Sequence, residues 1–334
     1  MASGLNKRRK LLLAIGAGGL VPPLRALAQA AGKVWRVGFL ASSARPADLD
    51  AHAFGGLVRG LRVLGYVEGR NLALEWRFAD GQRERLAGLA EELVRLKVDV
   101  IVTSASSASR AAQRATSGIP VVFAAVDDPV GLGLVTSLAR PGRNITGRAN
   151  ITHDLGPKRL ELLLAVAPQK SRIAVLVDAN SAAQVHVAES LQAAGRLRRV
   201  AVVRADVATP QDIDAAFAAL ARDKVGALIV PFTPLFNQQR NQIASLAAQH
   251  RWPTIAGERG FVHAGCLMSY GARLADDFFQ LAVYVDKIAK GARPSDLPVE
   301  QPTRFEWVIN RKTAQTLGLT LPAALMLQAD EVID

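Results

Sequence analysis

A single cysteine in 334 residues, Cys266, excludes an internal disulfide framework, a cysteine-based zinc finger and an iron–sulfur centre. Charged residues are only 21% of the chain against 50% hydrophobic, which excludes an intrinsically disordered protein. Aromatics are sparse at 5%, and past the N-terminus no apolar run reaches the ~18 residues that a membrane-spanning helix needs. No G-x-S-x-G elbow, Walker A loop or H-E-x-x-H helix occurs. Gly131-Leu132-Gly133 lacks the third glycine of a dinucleotide loop. The histidines, His52, His153, His186, His250 and His263, stand apart without metal-ligand spacing. No catalytic residue, metal or cofactor is therefore expected. Cys266, with no neighbouring base, reads as a buried thiol.

What is present begins with a charge imbalance. There are 41 Lys and Arg against 29 Asp and Glu, a formal charge of +12. Lys7, Arg8, Arg9, Lys10 and Arg25 place five of those charges in the first 31 residues, which hold no acid. The remaining +7 is spread along the chain without interleaved aromatics, which argues against a nucleic-acid surface. The basic head is followed by the apolar stretch Leu11–Val21, by Pro22-Pro23 and by small-residue cleavage sites around Ala26–Ala30. That order predicts a signal peptide over 1–30, and the Arg8-Arg9 pair before a leucine run resembles a twin-arginine signal. No cysteine lies near the cleavage site, so a periplasmic mature chain without lipid anchor or membrane insertion is expected.

Behind the signal, short β-rich runs alternate with helical spacing. Val34–Leu40, Leu72–Phe78, Val98–Val102 and Ile119–Val126 read as strands, with helices at about Ala51–Leu64, Glu84–Leu96 and Ser104–Ala115. Gly65 sits where a helix C-terminus favours positive φ. The alternation predicts a parallel sheet covered on both faces. It then recurs: Arg36–Leu40 corresponds to Arg172–Leu176, Arg95–Val102 to Arg222–Val230, and Ile119–Val122 to Trp252–Ile255. The expectation is an α/β protein of two Rossmann-like lobes joined by a multi-strand hinge. Lobe 1 is assigned to 31–149 plus 268–297, and lobe 2 to 150–267 plus 298–334.

Several stretches then carry a family likeness: Leu64–Asn71, Ile119–Ala124, Asp128-Pro129-Val130-Gly131, Asn144-Ile145-Thr146-Gly147, Gly265–Gly271 and Asp296–Pro302. Together, in this order, the chain resembles the tryptophan/tyrosine-type ABC transporter substrate-binding family, whose fold is similar to type I periplasmic binding proteins. The resemblance implies a monomer that closes two lobes around a small ligand and delivers it to an ABC permease and its ATPase. It also implies an amino acid, aromatic in the best-known members, or another small carboxylate. Two departures touch the ligand site: Ser104–Ala108 stands where members carry a glycine-threonine-proline loop, and Asp127 where a small residue or threonine is usual.

In open α/β sheets ligands sit beyond the carboxyl ends of the strands. That rule selects Ser42, Ser43, Ser104, Ser106, Ser107, Asp127 and Asp128 in the first lobe, and Asp178, Asn180, Phe232, Thr233, Arg259 and Tyr270 in the second and the hinge. The serines at 104, 106 and 107 suit a carboxylate at a helix N-terminus, and either Asp127 or Asp128 suits an ammonium. Each also has a structural role open to it. The serines cap, the aspartates form turns, Phe232 and Tyr270 pack, and Arg259 makes an ion pair. Two other functions fit the same clamshell: a ligand sensor for a receptor kinase, and an exported enzyme such as a racemase or hydrolase. An adjacent kinase gene would mark the sensor, and turnover of a bound compound the enzyme.

Overall fold

The computed structural model describes residues 33–150 and 155–334; the predicted signal at 1–30 lies outside the described residues. Residues 35–334 form one unit by their internal contacts. Within it the first half lays down β1 (Trp35–Ala41), α1 (Gly55–Val63), β2 (Leu72–Phe78), α2 (Arg85–Arg95), β3 (Val100–Ser104), α3 (Ser106–Ala115), β4 (Val121–Val126) and β5 (Ile145–Ala149). These strands pair in the order β2-β1-β3-β4-β5, all parallel. Alternation along each strand explains the two-faced burial. On β1 and β3, Val37, Phe39, Val100 and Val102 enter one core and Leu40 and Ile101 the other.

The second half repeats the plan with α4 (Gly156–Val166), β6 (Arg172–Asp178), α5 (Ala182–Leu197), β7 (Ala201–Val207), α6 (Asp212–Arg222) and β8 (Ala227–Val230). It continues through α7 (Pro234–Gln238), α8 (Arg240–Gln249), β9 (Thr254–Ala256), α9 (Gly260–His263) and β10 (Met268–Ala272). Its sheet runs β12-β11-β10-β9-β8-β6-β7, so the five strands β7-β6-β8-β9-β10 reproduce the order of the first sheet. After α10 (Leu274–Ala289) come β11 (Phe305–Asn310), α11 (Arg311–Thr316), α12 (Ala323–Gln328) and β12 (Glu331–Ile333). β11 is antiparallel to β10, and β12 is parallel to β11. Strand β12, helix α12 and strand β5 have no counterpart in the elements expected from the sequence. Cys266 is a buried thiol, its pKa pushed up to about 12 by burial.

Two boundaries differ from expectation. Met268–Ala272 was assigned to lobe 1, yet it pairs with β9 and β11 in the second sheet. Its alternation buries Met268 against the second core, and the chain crosses only after Ala272. Conversely Val299 and Glu300 stay with the first lobe, bonded to Leu138 and Gly147, so that crossing falls between 300 and 305. The lobes are thus joined at three places, with α10 returned to the first lobe.

The return of α10 depends on two glycines. A Cβ at Gly56 would collide with the Ala275 carbonyl oxygen, and one at Gly60 would lie 2.6 Å from Phe279 O and 2.7 Å from Ala282 Cβ. Their spacing of four puts both on one face of α1, letting α1 and α10 touch backbone to backbone. Gly56→Ala is predicted to destabilise by about 1–3 kcal/mol through overpacking. Urea unfolding should show a lower midpoint with an unchanged slope; an unchanged midpoint would mean the two helices are free to part.

Candidate functional site

Both sheets reverse direction of construction at one point, between β1 and β3 in the first and between β6 and β8 in the second. Crevices form at such switch points beyond the carboxyl strand ends. Ser42 and Ser43 follow β1, and Ser104 ends β3 beside them, paired with Ala41. Asp178 ends β6, and Phe232 and Thr233 follow β8. The lobes meet across these ends. The Arg83 guanidinium reaches Asp178 Oδ2 at 3.2 Å, and its other nitrogen donates to Asn180 O at 3.4 Å. Asp178 is 1% exposed, so its charge depends on that partner and on the Asn180 N–H it accepts at 2.9 Å.

The backbone at the first lobe's strand ends is strained. Ala105, the residue before α3, has φ 74° and ψ 163°, a region that side chains other than glycine's avoid at a cost of about 1–3 kcal/mol. Ala125 has φ 56°, where the β4–β5 register shifts between Phe123 and Val126. Bulges re-aim the residues that follow them. Asp127 and Asp128 come next, and they part company. Asp128 is exposed and its Oδ1 accepts the Gly131 N–H at 2.8 Å, a turn contact. Asp127 is half-buried and faces the charge of Arg159.

Arg159, on α4, is the residue that sequence reasoning missed. It is 1% exposed, its Nε donates to Tyr270 O at 2.8 Å, and its Nη1 is buried with no hydrogen-bond partner among the described residues. Burial pulls its pKa down to about 10, against the raising influence of Asp127 and then Tyr270. It thus stands where the ends of β4, β9 and β10 converge, with Nη2 3.1 Å from where a Gly257 Cβ would be. A buried guanidinium donor without an acceptor is costly, which makes Arg159 a candidate for holding an anion. Other buried polar atoms without partners fall at strand ends too: Ser43 Oγ after β1, both amide atoms of Gln184 in the first turn of α5 after β6, and Asn237 Oδ1 on α7 after β8. Trp307 Nε1, on β11, is a further one. A signal for Arg159 and Gln184 existed. Residues 159, 163 and 166 share a helix face, as do 184, 187, 188 and 191, and each stripe is otherwise apolar.

The remaining expected residues divide. Thr233 is buried and its Oγ1 accepts the Phe236 N–H at 3.1 Å as the cap of α7. Phe232 is half-buried and belongs to none of the four apolar cores, while Tyr270 packs beside the second lobe's core, 6.0 Å from the Phe305 ring. Ser106 and Ser107 open α3 without a side-chain cap, and Ser107 lines a groove of about 340 Å³ between α2 and α3 together with Arg83, Arg110 and Arg114. Asn180 Nδ2 turns to Ala208 O at 2.8 Å. Arg259 is held by Glu306 at 2.9 Å and Glu331 at 2.7 Å, an ion-pair cluster at the hinge that Arg273 joins at 3.3 Å. Among the described residues no group of His, Cys, Asp and Glu is placed to hold a metal.

Comparison with known proteins agrees with this architecture. Residues 46–333 match the family described as ABC transporter substrate binding protein. A tyrosine-binding protein of Clostridioides difficile is 27% identical over 265 residues, 79% of this chain and 76% of that protein. A Streptococcus pneumonia domain solved in complex with L-Trp is 26% identical with a TM-score of 0.82, covering 90% of this chain and 99% of that one. A substrate-binding protein with adhesive properties from Clostridium difficile, in its ligand-free, open structure, is 27% identical over the same shares but has a TM-score of 0.65. In this structure the Arg83–Asp178 contact joins the two lobes.

His52, in the first lobe, feels the charge of a residue of the second. Burial, and then the Arg240 charge from the second lobe, hold its pKa below 6.5. Its Nδ1 accepts the Phe54 N–H at 3.3 Å, and its ring lies 4.3 Å from that of Phe54. Where parting the lobes relieves that burial and the Arg240 charge, the imidazole holds its proton more tightly, so protonation favours the parted lobes. Ligand affinity is predicted to stay level above about pH 6.5, to fall from there down to the depressed value and to level off below it. In His52→Gln, titration calorimetry across pH 5–8 should give a flatter profile; an identical profile would assign the dependence elsewhere.

Proposed function

This chain belongs to the ABC transporter substrate binding protein family, and we propose that it is the exported solute-binding component of an importer, closing on an aromatic L-amino acid and presenting it to a membrane permease. The observation that carries the reading is Arg159, a buried guanidinium whose Nη1 has no hydrogen-bond partner among the described residues and which feels the charge of Asp127. A guanidinium and a carboxylate within each other's field match the two charges of an α-amino acid: Arg159 takes the carboxylate, and Asp127, with Ser43 and Ser104 at the strand ends of the first switch point, takes the ammonium. Phe232, outside the packed cores, offers a ring for a flat side chain. The tyrosine- and tryptophan-binding relatives support the same ligand class.

The mechanism follows from where the contacts lie. A ligand held by Arg159 and Gln184 of the second lobe and by Asp127 of the first makes its full set of bonds only when the lobes are closed, so it shifts the population toward the closed state. Energy for uptake comes from a separate ATPase, and the predicted N-terminal signal directs the chain out of the cytoplasm.

Thermal denaturation of the protein with single amino acids tests this. A true ligand at 100 times its Kd adds about 2.7 kcal/mol of stability, a melting temperature raised by several degrees. In Arg159→Met affinity should fall at least ~100-fold in a protein that still shows a cooperative melting transition without ligand. Undiminished affinity in Arg159→Met, or a preference for ligands without a carboxylate, would contradict the proposal.

A further inference from the structure

The positive charges that are dispersed in sequence gather at one pole of the second lobe. Parallel strands all start at the same end, and β8-β6-β7 are neighbours, so the turns before them lie side by side. Those turns carry Lys170 and Arg172 before and at the start of β6, Arg196, Arg198 and Arg199 between α5 and β7, and Arg222 and Lys224 between α6 and β8. The Gly226 N–H bonds Arg172 O at 2.9 Å, and the Lys170 side chain runs 3.0 Å from where a Gly226 Cβ would be, which ties the first and third turns together.

Five of these cations, Arg196, Arg198, Arg199, Arg222 and Lys224, are exposed, as is Arg172. None of the seven is in an ion pair among the described residues, although Arg204 nearby is paired with Asp206 at 2.7 Å. Asp223 is the only acid in these three turns. A cation at a helix C-terminus complements the helix dipole, and Arg199 and Lys224 hold the left-handed positions, φ 57° and 53°, that end α5 and α6. That accounts for one cation per helix. It does not account for three around α5, nor for Leu197 among them, which is 85% exposed.

We propose that this pole is a peripheral docking surface for an anionic phospholipid membrane, with the arginines at the headgroup level and Leu197 dipping between them. Basic residues draw a protein to an anionic bilayer within a Debye length, and an apolar side chain ringed by cations suits the headgroup–acyl boundary. A nucleic acid would call for aromatic side chains to stack on its bases, and none lies in these turns. The pole is at the amino ends of the strands, away from the crevice at their carboxyl ends, so adsorption leaves the ligand site free. It would hold the chain close to its permease, and it stands whether or not the ligand is aromatic.

The test is co-sedimentation of the full chain with phosphatidylcholine vesicles containing 0–40% phosphatidylglycerol at low and high salt. Partitioning should rise steeply with phosphatidylglycerol and fall with salt. Arg196→Glu/Arg198→Glu/Arg199→Glu should lower it at least tenfold and Leu197→Ser at least threefold, each keeping the unmodified protein's melting temperature. Every variant retains residues 1–32, so any share those basic residues contribute is common to all. Amide hydrogen exchange should show vesicle-dependent protection at 195–201. Equal partitioning of the triple variant, no protection there, or binding indifferent to Leu197 yet transferred to a soluble polyanion would overturn the proposal.

Discussion

A guanidinium taken out of water without a full set of acceptors is the constraint around which this molecule is arranged. Arg159 has Tyr270 O for one nitrogen and a buried, unmatched Nη1. In an interior of low polarity such a group is tolerated only where a compensating charge is near or arrives with a ligand. Asp127 supplies part of that compensation from the other lobe. Under the proposed function, a ligand carboxylate supplies the remaining acceptor, and bonds to both lobes hold them together around it.

The rest of the fold positions that charge. Two sheets share one strand order, and the chain crosses between them three times. Ion-pair clusters stand at those crossings. Arg148 on β5 bonds Asp277 at 2.8 Å and also Glu300 at 2.6 Å, while Glu306 on β11 is shared by Arg259 and Arg273. Asp277 is buried, and burial raises its carboxyl pKa against the lowering influence of Arg148. Arg259 belongs to this hinge chemistry: with Glu306 and Glu331 already on it, its donors are directed at the fold.

The parallel-sheet strands were legible because burial on both faces writes a near-continuous apolar run, as in Val98–Val102 and Ala227–Val230. The duplication was legible because the same runs return in the same order. β12 was not, since Glu331–Ile333 is three residues long and only half-buried. The side of the hinge taken by Met268–Ala272 was not, because pairing partners are set by tertiary register and leave no local mark. Strand-end positions such as Asp178 and Phe232 followed from a topological rule. Arg159 escaped it because it sits on a helix, beside Lys158, which is exposed and paired with Glu161 at 2.6 Å. Only the helical phase separates the two, and the phase that aligns Arg159 with Leu163 and Val166 is visible in the sequence once polar residues are sought within apolar stripes. Arg196–Arg199 looked like ordinary surface charge for a related reason: their companions at 170–172 and 222–224 are neighbours only through the sheet.

If an unmatched guanidinium defines the site, the ligand's carboxylate should matter more than its ring. Titration calorimetry with L-tryptophan, tryptamine and indole-3-propionate separates the groups, since the second lacks the carboxylate and the third the ammonium. The account predicts binding of L-tryptophan, a loss of at least ~100-fold for tryptamine, and a smaller loss for indole-3-propionate. Tryptamine binding as tightly as L-tryptophan would contradict it.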